Sequence, residues 1–302
     1  MNAKLKKVCK KCTNESIKVY MRNIRRLHRL IGDNEIPETS AWLKKKELMD
    51  KYKKLPLIQR RHLSTAAVKA AKAYGDEKMV DVWSKEMYKD SQRYTEKRML
   101  NKISDVEKAK WPKGGFASLK KASTEFKRRI GKIFRQEPSK ANLYTYTKYI
   151  ILRFYAAHAM RNDLASFTLS GEGNKLTWSK GAYTVLMTEF KTKKSMGPTS
   201  ITLNKGLSKA MREYVKYRNK VGVDHDFLLS NAKGKPLTRA AMGKILGALT
   251  KDLLDKQIGS RIIRVLKATA FKKEIDVSDK LAKEMMHSSK QQKAYVRNKD
   301  GD

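Results

Sequence analysis

The sequence predicts a mainly α chain with one small antiparallel β-sheet, organised in two domains. Apolar residues recur at helical spacing through most of the 302 residues. Only between Ser166 and Asn204 does the pattern change to the alternation of strands. A capping pattern at Ser104 opens a new run of elements, and a chain of this length is ordinarily more than one domain.

From Ser16 onward, Ile17, Tyr20, Met21, Ile24, Leu27 and Ile31 share one helical face, with Ser16 placed to cap the helix and Gly32 to stop it. Lys18, Arg22, Arg25 and Arg29 form a separate cationic stripe on the same helix. Such a stripe suits a phosphate backbone; the bland alternative is a solvated face. An Ala-rich helix near Leu63–Tyr74 stops at Gly75, and a third spans Glu77–Leu100 with Met79, Val80, Trp83, Met87 and Tyr94 inward. Ser104 with Glu107 has the capping-box pattern, and Pro112 stops the element it opens. The domain boundary is placed there, which gives a helical module over 1–103 and a larger domain over 104–302.

In the larger domain Leu119, Ala122, Phe126, Ile130 and Ile133 share a face, and another helix leads to Met160. Strands Tyr183–Lys191 and Thr199–Leu203 flank a Lys-Ser-Met-Gly-Pro turn. Helices follow over Leu207–Val221 (ended by Gly222), Thr238–Leu254, Ser260–Phe271, Ser278–Met286 and around Tyr295.

Charge narrows the partners. With 69 Lys+Arg against 30 Asp+Glu the chain carries a formal +39, so a polyanion is expected, nucleic acid first. RNA of the ribosomal kind and an anionic membrane surface are the competitors. The Ile150-Ile151-Leu152 run is far short of the ~20 apolar residues of a spanning helix. No apolar stretch follows the basic N-terminal residues, so an intracellular, non-secreted protein without membrane contact is expected. Cys9-Lys-Lys-Cys12 has zinc-knuckle spacing, but a structural zinc needs a second pair of ligands. Two ordinary thiols in a mobile basic end, and no metal, are therefore expected.

The chemistry-bearing residues lie in the C-terminal half. Arg161 follows an apolar helix in Ala-Met-Arg-Asn-Asp-Leu, and Lys191 sits at the strand turn in Phe-Lys-Thr-Lys-Lys. Arg261 and Arg264 share a helix face by their spacing. His287 lies in Met-Met-His-Ser-Ser and Tyr295 in Lys-Ala-Tyr-Val-Arg. Singly these are weak signals in a chain so rich in Lys and Arg. Their order and intervals, however, resemble the Arg…Lys…(His/Lys/Arg)-x-x-Arg…His…Tyr series of the tyrosine recombinase/integrase family. Arg264 and His287 are 23 residues apart, as is common there. Met-x-His-Ser followed by Tyr is similar to the family's Leu-Gly-His-Ser…Tyr ending, and Arg-Asn-Asp-Leu to its first-arginine box. The resemblance covers most of 104–302, and the N-terminal module looks like the family's core-binding domain. In flavour it is similar to integrases of large DNA viruses and related mobile elements.

The resemblance implies a two-domain DNA breaking-rejoining fold, closing as a clamp on double-stranded DNA. It implies Tyr295 as nucleophile, Arg161 and Arg264 as stabilisers of the phosphate oxygens, Lys191 as general acid, and Arg261 with His287 as orienting groups. It implies no cofactor, no metal, and a homo-tetramer on paired sites that is a monomer or weak oligomer when free. Three departures stand out. Arg261 occupies a position usually held by His, Tyr295 follows His287 by only eight residues, and Lys193 or Lys194 could replace Lys191. A type IB topoisomerase is the first alternative, although Arg264-Val265-Leu266 fits its usual Lys-Asp-x-Arg-Thr poorly. A non-catalytic DNA-binding protein of the same fold is the second.

Overall fold

The computed structural model describes residues 1–32, 35–100 and 102–271, with Met285, Tyr295 and Val296. Apart from those three residues, the helices expected over Ser278–Met286 and around Tyr295 lie outside the described residues, as does His287. The chain divides into two compact units, Met1–Leu100 and Asn101–Asp302.

The first unit is helical: α1 (Asn2–Val8), α2 (Asn14–His28), a 3-10 turn at Ser40–Lys44, α3 (Lys46–Lys53), α4 (Leu57–Tyr74) and α5 (Glu77–Met99). α2 buries Ile17, Ile24 and Leu27, as its periodicity requires. Its cap, however, is Thr13, whose hydroxyl accepts the Ser16 N–H at 3.2 Å, so Ser16 lies inside the helix. Gly32 is not its stop either, since α2 ends at His28. A Cβ on Gly32 would come 2.8 Å from the His28 ring, so glycine there permits close approach. α4 begins directly after Pro56, earlier than expected, and ends on Gly75 with a left-handed φ of 75°.

Small residues let α4 and α5 approach: Ala66, Ala67, Ala70 and Ala71 are fully buried. Trp83 of α5 is also fully buried, edge-on to Tyr52 at 5.1 Å between centroids, and its Nε1 donates to the Leu43 carbonyl at 3.3 Å. The Tyr52 hydroxyl donates to Asp90, whose other oxygen pairs with Arg60 at 2.8 Å. Burial first, and Asp90 second, push the Tyr52 phenol well up. Trp83→Ala should destabilise this unit by about 3–5 kcal/mol, through lost burial and the cavity left behind. Amide hydrogen exchange of α4 and α5 would measure it; unchanged protection would contradict this packing account.

The cysteines correct an expectation. Cys9 and Cys12 are joined in a disulfide and are not free thiols. Cys9 ends α1, and the Cys12 N–H donates to the Cys9 carbonyl, a turn that sets the Cα atoms 5.4 Å apart, within disulfide reach. Both pack against the unit's core, so this end is structured.

The second unit starts with α6 (Asp105–Ala109), where the Ser104–Glu107 capping box is formed in both directions. α7 (Ala117–Arg129) ends before Ile133, which falls in a 3-10 turn at Gly131–Arg135. α8 (Lys140–Tyr155) is the axis of the core: Leu143, Ile150, Ile151, Leu152, Phe154 and Tyr155 are fully buried. It ends at Tyr155, short of the expected Met160.

Strands β1 (Lys175–Ser179), β2 (Ala182–Met187) and β3 (Thr199–Thr202) form one antiparallel sheet in the order β1-β2-β3. Lys180 and Gly181, both at positive φ (49° and 78°), make the tight β1–β2 turn. β2 stops at Met187, before Lys191, because Asn174 intervenes. Its buried Oδ1 accepts the Thr188 and Glu189 N–H groups at 2.9 and 2.8 Å, and its Nδ2 donates to the Glu189 carbonyl at 2.7 Å and to Ser166 Oγ at 2.9 Å. The β2–β3 connection, which holds the short α9 (Lys193–Met196), is thereby tied down at its start. α10 (Lys205–Val221), α11 (Arg239–Leu254) and α12 (Ser260–Ala270) complete the described unit, α7, α10 and α11 packing on α8.

Candidate active site

Arg161 lies just past α8 and is held from two sides. Its carbonyl accepts the Tyr155 hydroxyl at 2.7 Å, and its Nη1 donates to Thr192 Oγ1 at 3.3 Å. Thr192 is the neighbour of Lys191, so Arg161 touches the connection that carries the candidate lysine. Lys191 itself is exposed and forms no ion pair among the described residues. Lys193 is engaged, its Nζ 2.5 Å from Glu189 Oε1, and the Lys194 side chain lies outside the described residues.

Arg261 and Arg264 occupy the first turns of α12. Arg261 pairs with the buried Glu107 at 3.3 Å, so the carboxylate that completes the α6 capping box also anchors this arginine. Arg264 is buried, donates from Nε to the Ser260 carbonyl at 3.3 Å, and lies 5.2 Å from the centroid of the Tyr295 ring. Burial lowers the pKa of its guanidinium, Tyr295 raises it, and Arg161 and Arg261 lower it further. Such a group still stays charged. Arg161, Arg261 and Tyr295 therefore all act electrostatically on Arg264.

The Tyr295 ring is only 8% exposed and packs in a small apolar cluster with Val265, Ala268 and Met285. The structure thus sets Arg264 beside this phenol, with Arg161 and Arg261 in electrostatic reach of Arg264, in a packed setting and not an open one. Among the described residues Lys191 is linked to Arg161 through its neighbour Thr192. In the first unit Lys18, Arg22, Arg25 and Arg29 are exposed along α2, none in an ion pair among the described residues.

Sequence reasoning missed the counter-charge. Asp163 is 3% exposed and pairs with Arg239 of α11 at 3.0 Å. Burial raises its pKa above the ordinary carboxylate range, outweighing the opposite pull of Arg239, Arg161 and Arg264. Asp163 stood in the Arg-Asn-Asp-Leu box, but Arg239 is the first residue of a helix and gives no local signal. Because the folded chain holds this proton more tightly than the unfolded one, the resulting stability is complete below the ordinary aspartate pKa. It is lost as pH rises through the raised one. Asp163→Asn should remove that fall, so wild-type stability minus variant stability should decline with rising pH across that window. Urea unfolding at closely spaced pH values tests this; a flat or rising difference would contradict it.

Among the described residues no group of three or more His, Cys, Asp or Glu is placed to hold a metal, and no helix is long and apolar enough to cross a membrane.

No family model and no curated protein matches the sequence. Solved structures do match the fold. XerH site-specific recombinase bound to difH substrate, in a pre-cleavage complex, aligns with a TM-score of 0.56 at 17% identity, over 99% of this chain and 82% of that one. The same recombinase on a palindromic difH substrate, in a post-cleavage complex, aligns with a TM-score of 0.54 at 16% identity and the same coverages. The helical composition, the single three-stranded sheet and this similarity over nearly the whole chain together make the fold that of the tyrosine recombinases.

Proposed function

We propose that this protein is a site-specific DNA recombinase that cleaves and rejoins DNA through a 3′-phosphotyrosyl link to Tyr295. The observation that supports the reading is Arg264, buried beside the Tyr295 ring and in electrostatic reach of Arg161 and Arg261, in a chain of net charge +39. A phenol with a pKa near ~10 attacks phosphorus poorly unless positive charge surrounds it.

In the proposed reaction Tyr295 releases its phenolic proton to solvent, its oxygen forms a bond to the scissile phosphorus, and the bond to the 5′ oxygen breaks. Arg161 and Arg264 hold the two non-bridging oxygens, where charge accumulates in the five-coordinate state. Lys191 gives its proton to the departing 5′ oxygen, and Arg261 with His287 orients the phosphate. Attack by the 5′ hydroxyl of a second strand reverses these steps, with no external energy source. Packed as it is, the phenol has to leave its apolar cluster when DNA arrives. The α2 stripe of Lys18, Arg22, Arg25 and Arg29 supplies phosphate contacts that fix position and not sequence. Strand exchange joins two sites, and a homo-tetramer on paired duplexes meets that need.

The test is covalent capture. The full chain is incubated with a library of nicked duplexes, denatured, and the DNA-linked peptide identified by mass spectrometry. An adduct on Tyr295 with a narrow set of trapped sequences is expected. Retention of the library without any adduct, or an adduct on another residue, would overturn the reading.

A further inference from the structure

We propose that a hollow of about 380 Å³ between α7, α8 and α10 is a phosphate-binding site, built from none of the residues of the Tyr295 cluster. Lys120 and Lys127 of α7, Arg153 of α8 and Lys209 of α10 line it, against the single carboxylate of Glu213. None of these four cations has an ion-pair partner among the described residues. Like charge gathered this way raises the local potential for an anion.

Two further features aim the site at a ligand. The first is the start of α10, a helix of 17 residues. Asn204 caps only the Leu207 N–H, at 2.9 Å, so the N–H groups of Lys205 and Gly206 remain uncommitted among the described residues. Gly206 lines the hollow, and a Cβ there would come 3.1 Å from Arg153 Nη2. The guanidinium is thus set beside the first turn of α10, where two N–H groups are uncommitted among the described residues, an arrangement that accepts phosphate oxygens. The second is Ser123, a lining residue only 1% exposed, whose hydroxyl has no hydrogen-bond partner in the described structure. Buried polar groups are ordinarily satisfied, and an exception calls for a missing partner. A phosphate group supplies it: the Arg153 fork takes two oxygens, the Gly206 N–H another, and the lysines neutralise the charge.

That phosphate belongs either to a DNA backbone or to a free phosphate compound, and the proposal stands whether or not Tyr295 cleaves DNA. The full chain is titrated with inorganic pyrophosphate by calorimetry, and with an arbitrary duplex over a series of salt concentrations. Arg153→Gln removes a charge. Gly206→Ala keeps every charge, suits a helix, and pushes the Arg153 guanidinium from its place beside the α10 N–H groups. Both are expected to weaken pyrophosphate binding about tenfold or more, the loss of one or more charge-assisted hydrogen bonds. If the occupant is a DNA phosphate, both should also lower the slope of log affinity against log salt by about 1. Loss of pyrophosphate binding with an unchanged slope assigns the site to a free anion. A lowered slope alone assigns it to DNA. Wild-type behaviour of Gly206→Ala with both ligands would overturn the proposal, whatever Arg153→Gln does.

Discussion

Tyr295→Phe should leave no covalent protein–DNA adduct while binding the duplex library as tightly as the wild type. The substitution isolates chemistry from packing. Phenylalanine fills the same place among Val265, Ala268 and Met285, and still offers its ring face to Arg264, which lies 5.2 Å from the centroid in the wild type. Only the oxygen is lost, and with it the atom proposed to bond phosphorus. Folding and affinity should therefore hold while capture fails completely. Adduct at the wild-type level would move the nucleophile elsewhere, and the chain offers 12 other tyrosines among its 13. The Tyr155 and Tyr214 rings are fully buried, with hydroxyls committed to the Arg161 and Leu228 carbonyls, so they are poor substitutes. Failure of the Phe variant to bind DNA would instead make Tyr295 a packing residue.

Much of this fold was legible because the long helices obey local rules. The Glu77 start of α5, the Ser104–Glu107 box, the Thr238 cap of α11 and the Gly222 stop of α10 each depend on residues within one turn of the boundary. Short elements escaped. α1 buries only Leu5, and α3 only Leu48 and Tyr52, too few positions to define a period. The Thr13 hydroxyl caps α2 with the same chemistry that was expected of Ser16, three residues earlier in the chain. The site divides in the same way. Arg261 and Arg264 were visible as a pair on one helix face, whereas the carboxylates that hold the arginines reach them across the fold: Glu107 to Arg261, and Asp163 to Arg239. Asn174 is the plainest case. An asparagine in a loop has no distinctive local pattern, yet four hydrogen bonds through it end β2 and tie down the segment leading to Lys191.

Arg264→Ala should slow single-turnover cleavage by about 10²–10³ at saturating DNA, the usual consequence of removing one fixed donor from a developing oxyanion. Arg264→Lys should recover little of that loss. A lysine keeps the charge, but as a single point on a flexible stem, and it cannot present two parallel N–H donors to a phosphate. Arg264 is also the hub of the cluster: it is buried, covers the Tyr295 ring, and interacts electrostatically with Arg161 and Arg261. Its removal leaves Asp163 with one cation fewer. The Asp163 pKa should rise further in Arg264→Ala, carrying the pH-dependent fall in stability to higher pH. The two readouts separate the roles. A slow variant whose stability profile shifts upward fits a guanidinium that serves both the phosphate and the buried carboxylate. A shifted profile with wild-type cleavage would leave Arg264 a structural cation only, and the proposed stabilisation of the phosphate would have to be carried by Arg161 and Arg261.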